Sequence, residues 1–185
     1  MQTAHKVAVL VGSLRKGSIS RKIAQTLAVL ASDRLKLEIV EIGDLPHYNP
    51  DLEESVPPAW AALRREVAES DAVLFVTPEY NRSVPGTLKN AIDVGSRPYG
   101  KSAFAGKPAA IVSVSPGALA AFGANHHLRQ SLVFLDMPVL QQPEAYIGGA
   151  GALFDANGHL TNEGTKEFLR KFIKSFEVWI DRIRG

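Results

Sequence analysis

A chain of 185 residues in which 45% are hydrophobic is long enough to bury one core, so we expect a single globular domain over residues 1–185. Its formal net charge of +2, with the 21 basic residues scattered along the chain, argues against nucleic acid or an anionic membrane as a partner. The sequence has no cysteine, which excludes disulfides, cysteine-ligated metals and thiol nucleophiles. The first apolar run spans only about six residues, too short for a signal peptide or a membrane span, so we expect a cytoplasmic protein.

Apolar runs alternate with amphipathic patterns along the whole chain. Predicted strands occupy residues 6–11, 35–42, 72–76 and 109–114, with a weaker one at 137–142. Predicted helices occupy residues 20–32, 58–70, 84–94, 125–135 and 162–183. Three of the strands are nearly unbroken apolar runs, which is typical of a parallel sheet covered on both faces. The pattern predicts an α/β protein with a doubly wound, five-stranded parallel sheet and helices on both faces.

Three polar segments follow the first, third and fourth predicted strands. They are the first loop, GSLRKGSIS at residues 12–20, the second loop, TPEYNRSVPG at 77–86, and the third loop, SPGALAAFG at 115–123. In an open parallel sheet, ligands bind outside the carboxyl ends of the strands. We therefore expect the three loops to meet at one edge of the sheet and to form the binding site.

The first loop has the composition of an anion site. It opens a predicted helix, whose N-terminal N–H groups bind anions, and three serine hydroxyls and Arg15 add further donors. We expect Gly12 to let the chain turn close to the ligand and Gly17 to relieve the return. Ser18 stands where a nucleoside-triphosphate loop needs lysine, and the spacing does not fit a dinucleotide fingerprint. The sequence predicts a phosphate monoester site; the alternative is an ordinary serine-capped helix start with a surface arginine.

The second loop is stiff and polar. Pro78 fixes its own φ and restricts the residue before it, and Pro85 stands near the start of the next predicted helix. Such a segment could line the edge of a flat heterocycle with backbone groups. The alternative is a proline-rich turn with a half-buried Tyr80.

These motifs, in this order, resemble the NAD(P)H-dependent FMN reductase family, and within it the soluble quinone and chromate reductases. The motifs are G-S-L-R-x-x-S-x-S in the first loop, T-P-E-Y-N in the second, and L-K-N-A-I-D on the helix that follows. The resemblance extends through AGKPAAIVSVS to HLRQSLVFLDMPVLQQPE and covers most of the chain. It implies a flavodoxin-like fold with strand order 2-1-3-4-5, bound FMN, and a homodimer or homotetramer.

The resemblance also implies roles for individual residues. Those that would bind FMN at its phosphate end are Ser13, Arg15, Ser18, Ile19 and Ser20. Those that would line the isoalloxazine ring are Pro78, Glu79, Tyr80 and Asn81. Those that would approach the pyrimidine edge of the ring are Ser115, Pro116 and Gly117. The third loop departs from the family, because many relatives have two consecutive glycines where this chain has two alanines and Phe122.

The function that the resemblance implies is an oxidoreductase that takes hydride from NADPH or NADH and reduces quinones. Chromate, free flavin and azo compounds are further candidate acceptors. The flavin would supply the redox chemistry, so no side chain is predicted to be catalytic. Tyr80, Asn81 and Arg82 are the candidates to contact the nicotinamide or the acceptor.

Two other functions stay open. One is a flavodoxin-type electron carrier with protein partners, which the net charge of +2 disfavours because such carriers usually present acidic surfaces. The other is a phosphate-binding module without redox chemistry, which would make the TPEYN motif a coincidence.

Several further residues have a structural interpretation beside a functional one. His126 and His127 are adjacent and point in different directions on a helix, so no metal site is predicted. Glu79 and Asp93 could form a pair of acids, but hydrogen bonding in a loop or an interface is favoured. Tyr99 and Phe104 are candidates either for a lip over the site or for a contact between subunits.

The third and fourth predicted helices have more apolar residues than one sheet face could easily absorb. These residues are Leu88, Ala91, Ile92, Leu128, Leu132, Val133 and Leu135. We therefore expect part of this surface to contact a second subunit and Leu132→Glu to separate the subunits. Arg97, Tyr99 and Lys101 could then reach across toward the neighbouring site.

Overall fold

In a computed structural model that describes residues 4–185, five parallel strands form one sheet in the order β2-β1-β3-β4-β5. The strands are β1 (His5–Val11), β2 (Leu35–Val40), β3 (Ala72–Thr77), β4 (Ala109–Val114) and β5 (Ala145–Ile147). β1, β3 and β4 are neighbours, so their C-terminal ends meet at one side of the sheet, the carboxyl edge. The predicted fold class and strand order are confirmed. Residues 1–3, part of the segment considered for a signal peptide, lie outside the described residues.

Within residues 4–185, five α-helices cover the two faces of the sheet. The helices are α1 (Ile19–Leu30), α2 (Pro58–Ala68), α3 (Gly86–Gly95), α4 (Phe122–Phe134) and α5 (Glu163–Arg184). Alternate residues of β1 face opposite sides: Val7 and Val9 pack with α1 and α5, and Ala8 and Leu10 pack with α2, α3 and α4. In the described part of the chain, no helix is long and apolar enough to cross a membrane.

The fifth strand lies later in the chain than the sequence predicts. Residues 137–142 pair with the sheet through an isolated bridge between Val139 and Ala109, the first residue of β4, and form no regular strand. Two hydrogen bonds form this bridge, from the N–H of Ala109 to the carbonyl of Pro138 and from the N–H of Leu140 to the carbonyl of Ala109, and Pro138 has no N–H with which to extend the pairing. β5 pairs instead with the last three residues of β4, which places its end at the carboxyl edge. The prediction of a strand at residues 137–142 is therefore wrong.

The apolar residues of α3 and α4 are mostly absorbed by their own chain. Six of the seven expected at a subunit contact are buried against the sheet: Leu88, Ala91, Ile92, Leu128, Leu132 and Leu135. The seventh, Val133, is 76% exposed and points away from the core, as does its neighbour Phe134, which is 72% exposed. The sequence argument from these six residues to a subunit interface is wrong, because α3 and α4 share one core with α2 and strands β3 and β4.

Phe104 is part of this core although it lies in a loop. Its ring is fully buried, 6.3 Å from the ring of Phe75 centroid to centroid. A Cβ at Gly95 would lie 2.5 Å from Phe104 Cε2, so the glycine makes room for the ring at the end of α3. Phe104 is therefore neither a lip over the site nor a subunit contact, whereas Tyr99 is exposed.

The opposite side of the sheet, the amino edge, has a network of paired charges. Arg34, just before β2, donates to Asp181 at 2.7 Å and to Glu177 at 3.3 Å. His5, the first residue of β1, lies 2.8 Å from the same Asp181 through Nε2, and Ser32 donates to Glu177 at 2.6 Å. Both carboxylates belong to α5, so the network attaches the C-terminal helix to the starts of two strands.

Candidate functional site

The first loop begins by packing against the second. The N–H of Gly12 donates to the carbonyl of Val76 at 2.9 Å, and a Cβ at Gly12 would lie 3.1 Å from Thr77 Oγ1 and 3.2 Å from Pro78 Cδ. A side chain at position 12 would therefore be crowded by the second loop. Gly17 has an ordinary φ and no neighbour within 4 Å, so the expectation that its conformational freedom relieves the return is wrong.

The N-terminus of α1 combines a serine cap with open donors. Ser18 is the N-cap, and its Oγ accepts from the N–H of Arg21 at 3.1 Å, as the structural alternative predicted. Its own O–H stays available as a donor. Ser13 and Ser20 are also buried, while Ile19 is partly buried. The first turn contains no acidic residue, so nothing there opposes a bound anion.

Two arginines near this helix end differ in their partners. Arg21 Nη2 donates to both carboxylate oxygens of Glu41, at 2.8 and 2.7 Å, and this hydrogen bonding raises the pKa of Arg21. Arg15 is exposed and forms no ion pair with any described residue. Arg15 is therefore the guanidinium that can bind a phosphate without giving up a partner.

The second loop is a tight hairpin. Tyr80 and Ser83 exchange backbone hydrogen bonds of 3.1 and 2.9 Å. The two residues between them, Asn81 and Arg82, have φ of 50° and 61°. This is the two-residue turn with positive φ at both positions, which asparagine favours and arginine does not. Tyr80 is 52% exposed, so its ring is displayed on the surface.

The second loop is also attached to α4. Glu79 Oε2 accepts from the N–H of Ala124 at 3.0 Å, and Ser83 Oγ lies 3.0 Å from His127 Nδ1. Asp93, which the sequence suggested as a partner acid for Glu79, is engaged by Lys89 at 2.7 Å on α3. The carboxylate of Glu79 therefore binds a helix N-terminus rather than a second acid.

The third loop turns through two left-handed alanines. Ser115 donates its N–H to Ile147 at 3.0 Å, and its Oγ accepts from the N–H of Gly117 at 3.1 Å. Ala120 and Ala121 follow with φ of 52° and 59°, a region that glycine adopts without cost. Ala120 and Ala121 thus occupy positions where glycine would be favoured.

A buried polar network supports the third loop from below. Ser113 Oγ donates to the carbonyl of Ala120 at 2.9 Å, and Asn125 Nδ2 donates to Ser113 Oγ at 3.3 Å. Arg129 completes the network by donating to Asn125 Oδ1 at 3.0 Å. Sequence reasoning missed these residues, although a serine inside an apolar strand and an asparagine in an amphipathic helix were available as signals.

An aromatic group borders the third loop. Phe122 is half exposed and its ring lies 4.1 Å from that of His126 and 5.4 Å from that of Tyr146. The hydroxyl of Tyr146 is 3.0 Å from His126 Nε2. Burial, together with the nearby Glu144, raises the pKa of Tyr146 to about 12, so the phenol stays protonated at neutral pH.

Within residues 4–185, no cluster of three His, Cys, Asp or Glu side chains could hold a metal.

The three loops converge as the sequence predicts. The first touches the second at Gly12, and the second touches the start of α4 at Ala124. A separate groove of about 540 Å³ lies between α3 and α4 and is lined by Arg97, His127 and Phe134 among others. The carboxyl edge therefore brings the N-terminus of α1 next to two polar loops, with a concave surface between α3 and α4 beside them.

Comparisons with known proteins agree with this arrangement. The sequence profile of the family described as NADPH-dependent FMN reductase matches residues 5–152. A quinone reductase of Pseudomonas putida is 64% identical over 181 residues, which cover 97% of each chain. A 2-hydroxy-1,4-benzoquinone reductase of Burkholderia sp is 42% identical and covers 96% of this chain and 97% of its own. The solved structure of a flavoenzyme NAD(P)H:(acceptor) oxidoreductase from Paracoccus denitrificans has a TM-score of 0.91 at 44% identity, covering 97% of this chain and 98% of that one.

Proposed function

Because the chain belongs to the NADPH-dependent FMN reductase family, we propose that its carboxyl edge binds FMN and that quinones are its acceptors. Membership makes it an NAD(P)H-dependent oxidoreductase with FMN as its cofactor. The observation that supports the site is the N-terminus of α1, which has serine hydroxyls, an unpaired Arg15 and no acid in its first turn. We also propose that residues 1–185 act as one FMN-binding domain.

The phosphate of FMN fits the first loop by its chemistry. A phosphate monoester brings two negative charges and three terminal oxygens, and the helix N-terminus and Arg15 together supply positive potential and donors for them. The assigned residues are Ser13, Arg15, Ser18, Ile19 and Ser20. We assign Ile19 a contact through its backbone N–H, because it is the first residue of α1. When bound, FMN supplies the redox chemistry, receiving hydride from a nicotinamide and delivering electrons to the acceptor.

The isoalloxazine ring is assigned to the second and third loops. The residues are Pro78, Glu79, Tyr80, Asn81, Ser115, Pro116 and Gly117. Pro78 and the hairpin at Tyr80 fix the backbone of the second loop, and Ser115 fixes that of the third through its bond to Gly117. Tyr80, Asn81 and Arg82 are exposed on the hairpin, which supports their assignment to the nicotinamide or the acceptor. Their task is to orient planar substrates, so no acid or base among them is assigned to hydride transfer.

Quinones are the proposed acceptor class because relatives at 64% and 42% identity are named as quinone and benzoquinone reductases. Chromate, free flavin and azo compounds are secondary candidates from the sequence. A flavodoxin-type carrier is the alternative function. The net charge of +2 argues against it, since acidic surfaces are what such carriers present to basic partners. A cytoplasmic location stays a prediction, which fractionation of the producing cell can check.

The test of this function uses the purified protein reconstituted with FMN. We expect flavin absorbance that follows the protein through gel filtration, and anaerobic NADPH or NADH should bleach it. Benzoquinone should then restore the absorbance faster than chromate or an azo dye does. A protein that stays colourless with FMN would refute the site, and one reduced only by a protein partner would establish the carrier.

We propose a homodimer or homotetramer whose subunits contact each other through a smaller surface than the sequence suggested. The groove between α3 and α4 and the exposed pair of Val133 and Phe134 support this proposal, and Arg97 in the groove could approach a neighbouring site. Leu132→Glu is unsuitable as a test because Leu132 is fully buried and a charge there would unfold the chain. Val133→Glu should separate the subunits in light scattering, while Val29→Glu, at an 84% exposed valine on α1, should not. A wild-type mass of 20.0 kDa would contradict the proposal.

A further inference from the structure

One carboxylate joins the second loop to the start of α4, directly after the third loop. The side chain of Glu79 is only 13% exposed, and its Oε2 accepts from the N–H of Ala124, in the first turn of α4, at 3.0 Å. The N-cap of α4 is Ala121, which has no side chain to form this bond. We propose that Glu79 is a positioning residue that holds the second and third loops together as one preorganised surface for the flavin ring. This inference rests on the proposed function.

Backbone strain is concentrated in these two loops. Among residues 4–185, five residues other than glycine have positive φ, and four of them are Asn81, Arg82, Ala120 and Ala121. Such conformations persist only where the surroundings hold them, and they cluster at ligand sites. The hydrogen bond between Glu79 and Ala124, here called the tie, restrains both loops at once. Without this hydrogen bond, each loop could relax to other conformations. Binding of the flavin ring would then have to order the loops again, which would weaken its affinity.

The contact surface between the loops is built around Gly123. A Cβ at this position would lie 2.8 Å from the carbonyl oxygen of Arg82 and 2.9 Å from Glu79 Oε2. The hairpin therefore packs directly on the backbone of α4. The second loop and α4 meet again where Ser83 Oγ lies 3.0 Å from His127 Nδ1. Because the Ser83 pair is exposed and the bond that Glu79 accepts from Ala124 is partly buried, the Glu79 bond is the stronger restraint.

The other interaction of Glu79 cannot replace this bond. Its Oε1 lies 3.4 Å from Arg82 Nη1, but the side chain of Arg82 is 70% exposed, and exposed ion pairs contribute little. The negative charge at the N-terminus of α4 also complements the helix dipole. These facts predict that the hydrogen bond to α4, which glutamine can also accept through its amide oxygen, is the decisive contact.

The first experiment needs no flavin. Amide hydrogen exchange in residues 118–124 of the apo protein should be at least about tenfold faster in Glu79→Ala than in the wild type, because the loop opens more often. Glu79→Gln should exchange at close to the wild-type rate. Equal exchange in Glu79→Ala and the wild type would overturn the tie, whatever the protein binds.

The second experiment compares the affinities of FMN and riboflavin, to decide whether the tie affects binding of the ring or of the phosphate. Glu79→Ala should weaken FMN and riboflavin by the same factor, about tenfold, because both have the ring and a lost cap costs about that much. Glu79→Gln should restore most of the affinity. A loss for FMN alone would place the effect at the phosphate and overturn the inference. A wild-type protein that binds neither flavin would refute the proposed function instead, and the exchange experiment would still decide the tie.

Gly123→Ala tests the same contact from the other side. In most helices, replacing glycine with alanine is stabilising. At position 123 the new Cβ would push the hairpin away, so the unfolding temperature and the flavin affinity should both fall. Gly164→Ala is the matched control, since Gly164 is likewise the second residue of a helix and its nearest neighbour, Asn162 Oδ1, is 3.5 Å from the new Cβ. A Gly123→Ala protein as stable and as tight for flavin as Gly164→Ala would contradict the proposal.

Discussion

The two edges of the sheet use the same kinds of side chain in opposite ways. At the amino edge, Arg34 is bound to Glu177 and Asp181, and the charges neutralise one another. At the carboxyl edge, Arg15 is exposed without an ion pair among the described residues, and the backbone of Ala121 is held in a left-handed conformation. The first arrangement stabilises the fold, and the second keeps donors available. Unpaired charge and strained backbone therefore mark the end of the molecule that is proposed to bind a ligand.

The largest effect that tests this comparison is expected at Arg15. Arg15→Ala should weaken FMN by about 1.5–3 kcal/mol, the value of a hydrogen bond to a charged group. Riboflavin, which lacks the phosphate, should bind equally to both proteins, and the apo protein should unfold at the same temperature. Fluorescence titration of both flavins measures the difference.

Lys16→Ala is the control for net charge, because Lys16 is an exposed cation in the same loop. We expect it to change FMN affinity by less than about 0.5 kcal/mol. If both variants lost the same affinity, general electrostatic attraction would account for the effect and Arg15 would have no specific contact.

At the amino edge, a substitution of Glu177 should change stability and leave flavin binding unchanged, the reverse of the expectation for Arg15. Glu177→Gln removes the charge that pairs with Arg34 and Lys174 and should lower the free energy of unfolding by about 1–2 kcal/mol. Both cations are partly exposed, so water screens part of the lost attraction. FMN affinity should stay unchanged. Urea unfolding measures the first quantity, and a loss of flavin binding without a loss of stability would invert the comparison.

The same network predicts a dependence of stability on pH. Burial acts to raise the pKa of Glu177, but hydrogen bonds from Lys174 and Ser32 and the charge of Arg34 outweigh it and lower that pKa. The ionised carboxylate therefore stabilises the folded protein at pH values above 4.5, the ordinary pKa of this group. This stabilisation is lost as the pH falls through the lower pKa that Glu177 has in the folded protein. The stability difference between the wild type and Glu177→Gln should shrink steadily below pH 4.5. A difference that stays constant down to complete acid unfolding would contradict this prediction.

The smallest expected effect is a gain at the strained carboxyl edge. Ala121→Gly should relieve about 1–2 kcal/mol of left-handed strain and lose about 0.4–1 kcal/mol through greater freedom of the unfolded chain. We expect a net stabilisation of about 0.5–1 kcal/mol by thermal unfolding. Ala61→Gly, at an exposed position within α2, should instead destabilise by about 1 kcal/mol. A similar loss in both variants would show that Ala121 is not strained.

The sequence predicts the convergence of the three loops because this follows from local signals. Long apolar runs identify β1, β3 and β4, and polar residues at their ends identify the loops. β5 has only three residues, AYI, which is too short to be recognised beside the longer apolar segment at residues 137–142. Short strands depend on the neighbour that they pair with, and the sequence contains no direct signal of that pairing.

Contacts between distant segments explain what the sequence could not predict. Glu79 reaches Ala124 across 45 positions, and its motif suggested only a place beside a ring. Leu132 and Phe104 look equally suited to an interface and to a core, and only the packing of α3 and α4 decides between them. The individual contacts of Ser13, Arg15 and their neighbours with FMN stay predictions, since they depend on a molecule outside the chain.

The short fifth strand has a consequence for how copies of this chain can associate. β5 and β2 are the two outer strands of the sheet, and an outer strand is a template for pairing with another molecule. β5 offers only three residues, and β2 has Lys36 and Glu38, whose charged groups lie 2.6 Å apart. Both features oppose the addition of a foreign strand, so the sheet resists edge-to-edge aggregation. The proposed assembly would then use helix surfaces, where Val133 and Phe134 are exposed at the end of α4.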